Sequence, residues 1–445
     1  MRIKKLKIEN FRGFRELDIT FPDSNLAVFI GDNGSGKTSL LDGIAILLAW
    51  FVTELGNRIQ SEVSSEGFIP KHPEYALTVN DLHVASQKRQ SVITLTTLRE
   101  DTILSWSRAL GIIDDATKNQ EAKDAIEAIR RKLRIQPELS LPVLLYYQID
   151  RTIGEDHFAP ERPQPYQFQQ LHGYDNAFTM RIRDFHDFFS WFRVQEDLEN
   201  EKKIKERDFD AVNKNLMVIR NALKMFLDGV TNANFSDLHV ERNPGELNLN
   251  FRASWESSLV ISKNGQRLRM QQLSAGEQMA LLLVGDIARR LAIANPGLED
   301  ALQGSGIVLI DEIELHLHPQ WQREVLPALQ RTFPNLQFIV TTHSPQVLSH
   351  VKKESIFILD GGKIFSSSTD PYGRDTNGIL EEVMGTTKYP HEIQELSDQY
   401  FQLMTFDKLE EAQTIRQQLA QALSSDHPIF IKADAFITRK QILGR

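Results

Sequence analysis

A chain of 445 residues, 41% of them hydrophobic, is long enough for roughly two or three structural units and apolar enough to bury a large core. It contains no cysteine, which excludes disulfides, thiolate metal sites and cysteine nucleophiles. The net charge of −9 argues against a uniformly basic nucleic-acid coat, but a local basic groove is still compatible with it.

The opening "MRIKKLKIENF" lacks the apolar h-region of a signal peptide, and no run reaches the ~18 apolar residues of a membrane span, so a cytoplasmic protein without membrane contact is expected. "RIKKLKIENFRGFRELDITF" holds two alternating segments around a Gly-containing turn and predicts an N-terminal antiparallel sheet, followed by an apolar strand at Leu26 to Ile30. From Lys37, "KTSLLDGIAILLAWFV" predicts a helix buried against a sheet. Residues 57–140 read as a polar insertion with one helix, in which Ala122, Ile126, Ile129 and Leu133 recur at spacings of three and four. "LPVLLYY" at 141–147 predicts a buried strand, and residues 153–235 a second insertion, irregular after Pro165 and helical from Met180 to Val230. Within it Phe185, Phe188, Phe189 and Phe192 share one helix face, the pattern of a packed core or subunit interface more than of a base-stacking platform.

Leu247, Leu249 and Phe251 alternate, and "SLVISKNGQRLRM" carries Asn264-Gly265, the strongest short hairpin signal. Residues 236–384 then alternate strand and helix: an apolar helix at Met279 to Ala294, the strand "GIVLIDE", a helix from Pro319, and the strands "LQFIVTTHS" and "SIFILDGGKI". This order predicts an α/β core with a largely parallel sheet. Residues 385–445 read as a helical tail of amphipathic helices, marked by Ile393, Leu396, Tyr400 and Leu403, by Leu409, Ala412, Ile415, Leu419 and Leu423, and by a third segment from Ile429.

"GDNGSGKT", between an apolar strand and a helix, fits the phosphate-binding pattern G-x-x-x-x-G-K-[ST] in its proper context. The N–H groups of Asn33, Gly34, Ser35, Gly36 and Lys37 would line one concavity at a helix N-terminus, and Ser39 is expected with them among the nucleotide-binding residues. Lys37 would reach the β and γ phosphates of ATP, and Thr38 would ligate Mg²⁺. "GIVLIDE" delivers Asp311 to hold Mg²⁺ through water and Glu312 to polarise an attacking water. His316 and His318, at i and i+2 with no further ligand cluster, do not have zinc-site spacing.

"LSAGEQ" at 273–278 resembles the signature of ABC-type ATPases, and "DEIELHLHP" followed by "TTHSP" resembles the Walker B, D-loop and switch-histidine series of the RecF, SMC and OLD branch. The resemblance implies an ABC-type head with helices on both faces of a mixed sheet. It also implies a homodimer that sandwiches ATP, in which Ser274, Gly276 and Glu277 of one subunit meet the nucleotide held by the P-loop of the other. His343 is then the γ-phosphate sensor, Glu314 to Pro319 cross the interface, Gln148 is the Q-loop glutamine near Mg²⁺, and Arg12 is a nucleotide-contacting arginine. Gln278 stands where the family commonly has a basic residue, which bears on turnover rate more than on ATP binding.

The residues between the P-loop and the signature, 39–272, show no sustained heptad repeat, so a long coiled-coil arm is not expected. No Asp-x-Asp pair follows Ile358, so neither is an intrinsic Toprim nuclease. "DFFSWFRVQEDLENE", "YGRDTNGILEEVMG" and "HPIFIKADAFITRKQIL" look like stretches of the ATPase subunits of Septu and retron-associated anti-phage modules. That resemblance implies a separate HNH-type nuclease as partner, docked on helical parts, and a higher homo-oligomer. A RecF-like repair clamp that binds DNA directly is the alternative reading.

Overall fold

The computed structural model describes residues 1–60, 77–83, 90–110, 119–148, 169–178, 183–244, 255–385, 389–406 and 408–443, which fall into two units, Met1–Gly373 and Arg374–Arg445. In the first unit, β1 (Arg2–Phe11) and β2 (Phe14–Thr20) pair antiparallel and bury Ile3, Leu6, Ile8, Leu17 and Ile19, the face that their alternation sets aside. β3 (Leu26–Ile30) is buried throughout and leads into α1 (Lys37–Gln60), whose Leu40, Leu41, Ile44, Leu47 and Phe51 have no exposed surface. α1 alone among the described helices is long and apolar enough to cross a bilayer, and its apolar residues are spent on this core.

The region expected as an insertion contributes to the head instead. β4 (Ser91–Arg99) and β5 (Thr102–Leu110) form a hairpin, and β4 pairs with β1, giving a four-stranded antiparallel sheet in the order β2-β1-β4-β5. α1 packs on this hairpin, and the Trp106 indole donates to the carbonyl of Leu47 at 2.9 Å. α2 (Gln120–Ile135) buries Ala122, Ile126, Ile129 and Leu133, the four positions its periodicity marks. β6 (Val143–Tyr147) is fully buried.

The expected long helical stretch is two helices, α3 (Arg183–Glu206) and α4 (Lys214–Val230), broken at Arg207 (φ 51°) and restarted by the Asn213 side chain, which accepts from the N–H groups of Asn215 and Leu216. Phe188, Phe189 and Phe192 are buried, as a packed face requires, whereas the Phe185 side chain lies outside the described residues. β7 (Phe235–Pro244), β8 (Trp255–Lys263) and β9 (Gln266–Arg269) make an antiparallel sheet; β8 and β9 join through Asn264 (φ 52°) and Gly265 (φ 80°), the left-handed pair that a tight hairpin demands. Leu247, Leu249 and Phe251 lie outside the described residues.

α5 (Ala275–Ala294), β10 (Gly306–Ile310), α6 (Pro319–Thr332), β11 (Leu336–Thr341), α7 (Pro345–Leu348), β12 (Ile356–Asp360) and β13 (Lys363–Ser366) complete the unit. The central sheet runs β13-β12-β3-β11-β10-β6, parallel except for β13. "SIFILDGGKI", expected as one strand, is a hairpin turning at Gly361 and Gly362, both with positive φ.

The second unit holds α8 (Thr376–Glu382), α9 (His391–Thr405), α10 (Leu409–Ala422) and α11 (Pro428–Leu443), the last three packed around Tyr400, Met404, Ala412, Leu419, Ile429, Phe430 and Ala433. Its boundary falls at Arg374 and not at 385, because α8 groups with the tail helices.

Candidate nucleotide-binding and hydrolysis site

Parallel strands bring their carboxyl ends to one edge of the sheet, and there the predicted residues gather. Gly31 follows the end of β3, Asp311 that of β10, Thr342 and His343 that of β11, and Gln148 that of β6, with Ile310 in register with both Val340 and Tyr147. The turn from β3 into α1 needs its glycines. Gly34 and Gly36 have φ of 81° and 103°, and a Cβ on Gly36 would stand 2.6 Å from Cζ of Phe14. Lys37 is 6% exposed, and its Nζ donates to the carbonyls of Gly31 (2.8 Å) and Asp32 (2.9 Å), curling over the loop. Burial pulls its ammonium below the ordinary lysine range, against the fields of Asp311, Glu312, Asp32 and Glu314.

The loop suits a triphosphate. First-turn N–H groups of a helix have no intrahelical partner, and the Ser35 hydroxyl oxygen is buried with no partner of its own. Asn33 is exposed and Ser39 half-buried. Replacing Gly36 by Ala should strain the loop by about 1–3 kcal/mol and weaken ATP affinity by at least about tenfold. Titration with a fluorescent ATP analogue tests this, and unchanged affinity would mean that the loop tolerates the Cβ.

Two elements far apart in sequence meet at Asp311. Its Oδ2 accepts from the Thr38 hydroxyl at 2.8 Å, and its Oδ1 accepts from the Thr341 hydroxyl. Thr341 Oγ1 in turn accepts from the N–H of Glu312 at 2.8 Å. Glu312 has φ of 46°, a left-handed conformation rare for a residue with a Cβ. Glu314, expected only as part of the D-loop, has a further role: its carboxylate accepts from the Thr342 hydroxyl at 2.7 Å and from the N–H of His343 at 2.6 Å. Nothing in residue spacing announces this clamp.

The signature opens α5 as a capping box. Ser274 Oγ accepts from the N–H of Glu277, and Glu277 Oε2 accepts from the N–H and hydroxyl of Ser274 at 2.9 and 2.8 Å. Burial would raise the Glu277 pKa, but the Lys263 ammonium at 2.6 Å and the Ser274 donors bring it below the usual range. Gly276 lies against the D-loop, where a Cβ would stand 2.6 Å from the His316 carbonyl. Gln278 donates internally to the carbonyl of Leu273.

Gln148 stands half-buried one residue past the end of β6, beside Asp311, whose N–H donates to Tyr147. The Arg12 guanidinium bonds Asp42 on α1 and Asp81 (2.8 Å), so it braces the P-loop helix. His318 caps α6 through Nδ1, while His316 is exposed with φ of 65°.

A parallel sheet that sets its acid strand one removed from its P-loop strand, with Thr342 and His343 just past the end of the strand between them, is the arrangement of a P-loop ATPase. The chain belongs to the family described as "AAA domain, putative AbiEii toxin, Type IV TA system", which matches residues 26–349. It is 29% identical to "Retron Ec83 probable ATPase" of Escherichia coli, across 99% of this chain and 87% of that protein. Against "Retron Vc95 probable ATPase" of Vibrio cholerae serotype O1 biovar El Tor the identity is 30%, across 88% and 80%. Against "Septu protein PtuA" of Bacillus thuringiensis it is 22%, across 89% and 88%.

Proposed function

We propose that this ATPase is the nucleotide-gated regulator of a bacterial anti-phage module of the retron or Septu kind, controlling a separate HNH-type endonuclease. The observation that carries it is the join of Thr38 to Asp311 at one end of the sheet in a chain whose full-length relatives bear retron and Septu names. In this reading the N–H groups of residues 33–37, the Lys37 ammonium and the Ser35 and Ser39 hydroxyls hold the phosphates of ATP. Thr38, Asp311 and Gln148 would hold Mg²⁺, which when bound neutralises phosphate charge. Glu312 takes the proton of the attacking water, and His343 contacts the γ-phosphate.

Two copies close around two ATP molecules, because the N-terminus of α5 is a second anion site built on exposed residues, Ser274 and Ala275, which suits a nucleotide carried by a second subunit. ATP binding stabilises the closed pair by differential affinity, and hydrolysis releases it. The nuclease reads that difference through helical surfaces, and the second unit, with its own core, is the candidate platform.

The test is co-expression with the neighbouring genes of the native locus, followed by mass measurement with and without ATP. A nucleotide-dependent dimer carrying a nuclease subunit is the expected species. A chain that stays monomeric with ATP bound would remove the ATP-closed dimer, and retention of DNA in place of a nuclease would favour the repair-clamp reading. Truncation after Gly373 should leave ATP affinity within about twofold, since residues 374–445 form a separate unit, and should abolish nuclease co-purification. If the truncated chain still carries the nuclease, docking belongs to α3 and α4.

A further inference from the structure

Glu314 sits between two residues in left-handed backbone conformation, Glu312 (φ 46°) and His316 (φ 65°). Successive tight turns follow from them: the N–H of Leu315 donates to Glu312 (3.0 Å) and that of Leu317 to Glu314 (2.9 Å). The segment is thereby folded back so that the Glu314 carboxylate reaches the end of the neighbouring strand. There it accepts from the Thr342 hydroxyl with one oxygen and from the His343 N–H with the other. A second side chain makes the same crossing. Gln322 donates to the carbonyl of Leu317 at 2.9 Å and accepts from the Ser344 hydroxyl at 2.7 Å.

On its other side the segment is in close contact with the signature helix, since Gly276 leaves no room for a Cβ beside the His316 carbonyl. The D-loop therefore touches α5 with one side and holds the switch segment with the other.

We propose that Glu314 is a positioning residue for ATP hydrolysis, fixing the backbone of His343 to the D-loop so that the placement of the signature helix and D-loop sets the placement of the switch histidine. This rests on the reading of His343 as the γ-phosphate contact. The bonds are short, directed and charge-assisted, the kind that fix geometry to a few tenths of an ångström. Misplacement of a reacting or contacting group by about 1 Å costs on the order of 100-fold in rate.

The test is steady-state ATP turnover of the full chain in a series of variants. Glu314→Ala should lower kcat by about 10–100-fold while KM for ATP stays within about twofold, the split expected of a group that acts only in the transition state. Glu314→Gln should recover most of that loss, because its amide oxygen can accept from His343 and its NH₂ can donate to Thr342. Thr342→Val, which removes one of the two bonds, should fall between. Adding Glu314→Ala to His343→Ala should slow turnover no further, since both remove one interaction.

Wild-type kcat in Glu314→Ala, or losses that multiply in the double variant, overturns the proposal. So does a Glu314→Gln as slow as the alanine variant, because charge and not position would then be at work. Should Glu314→Ala fail to fold, the Gln and Thr342→Val variants decide alone. If His343→Ala by itself keeps full turnover, the assignment of His343 fails and the proposal falls with it, a result visible in the single variant and distinct from the others.

Discussion

A chain carrying Glu312→Gln is expected to bind ATP with unchanged affinity and to hydrolyse it on the order of 10²- to 10⁴-fold more slowly. The amide keeps the size and backbone preference of the glutamate but cannot take a proton from water. The backbone at this position is held independently of the side-chain charge: its N–H bonds Thr341 Oγ1, and Thr341 in turn bonds Asp311. The φ of 46° is therefore imposed by the neighbours and should survive the substitution. Asp311 keeps its bonds to Thr38 and Thr341, so the residues assigned to the cation are untouched. Phosphate release measured alongside binding of an ATP analogue separates the two effects. Turnover within about tenfold of the wild type would take the general-base role away from Glu312. If ATP closes two subunits, the slow variant should also accumulate the ATP-bound dimer, visible as a doubled mass in light scattering.

The site was legible in the sequence where its chemistry is local. "GDNGSGKT" between strand and helix fixes a loop whose glycines take the φ values the pattern requires, and "VLIDE" fixes an acid at a strand end. Asn264-Gly265 announces its hairpin because those residue types tolerate left-handed backbone.

The hairpin of β4 and β5 went unread for the opposite reason. It turns through Glu100 (φ 46°) and Asp101 (φ 64°), a left-handed pair made without glycine or asparagine, and β4 is then recruited by β1, far away in the chain. Tertiary pairing overrides local preference there. Glu314 was legible only as a D-loop position, because its carboxylate meets Thr342 and His343 through two unusual backbone conformations that residue identity does not encode. The break between α3 and α4 likewise rests on Arg207 in a left-handed conformation, which no glycine or proline signals.

The largest expected effect on stability lies behind the site, at Asp286 in α5. It is 1% exposed and accepts from Arg289 Nε (3.0 Å) and Nη2 (2.6 Å), from Arg290 Nε (2.6 Å) and from the Tyr147 hydroxyl (2.9 Å). Arg290 continues to the carbonyls of Gly173 and Asp175, so one buried network ties the signature helix to β6, the strand that leads into Gln148.

Burial alone would raise the Asp286 pKa, but the two guanidiniums hold it down to about 2. A folded pKa below the unfolded value of about 3.9 means that the carboxylate's contribution is complete above about pH 4 and disappears as pH falls through about 2. Asp286→Asn removes that charge and leaves two buried guanidiniums facing an amide, a loss of about 3–5 kcal/mol. At pH 7 the melting temperature should fall by about 4–6 °C. The gap between variant and wild type should then narrow as both are acidified, because the wild-type carboxyl is itself becoming neutral. Equal melting temperatures at pH 7, or a gap that persists undiminished to pH values near 2, would show that the network does not depend on the Asp286 charge.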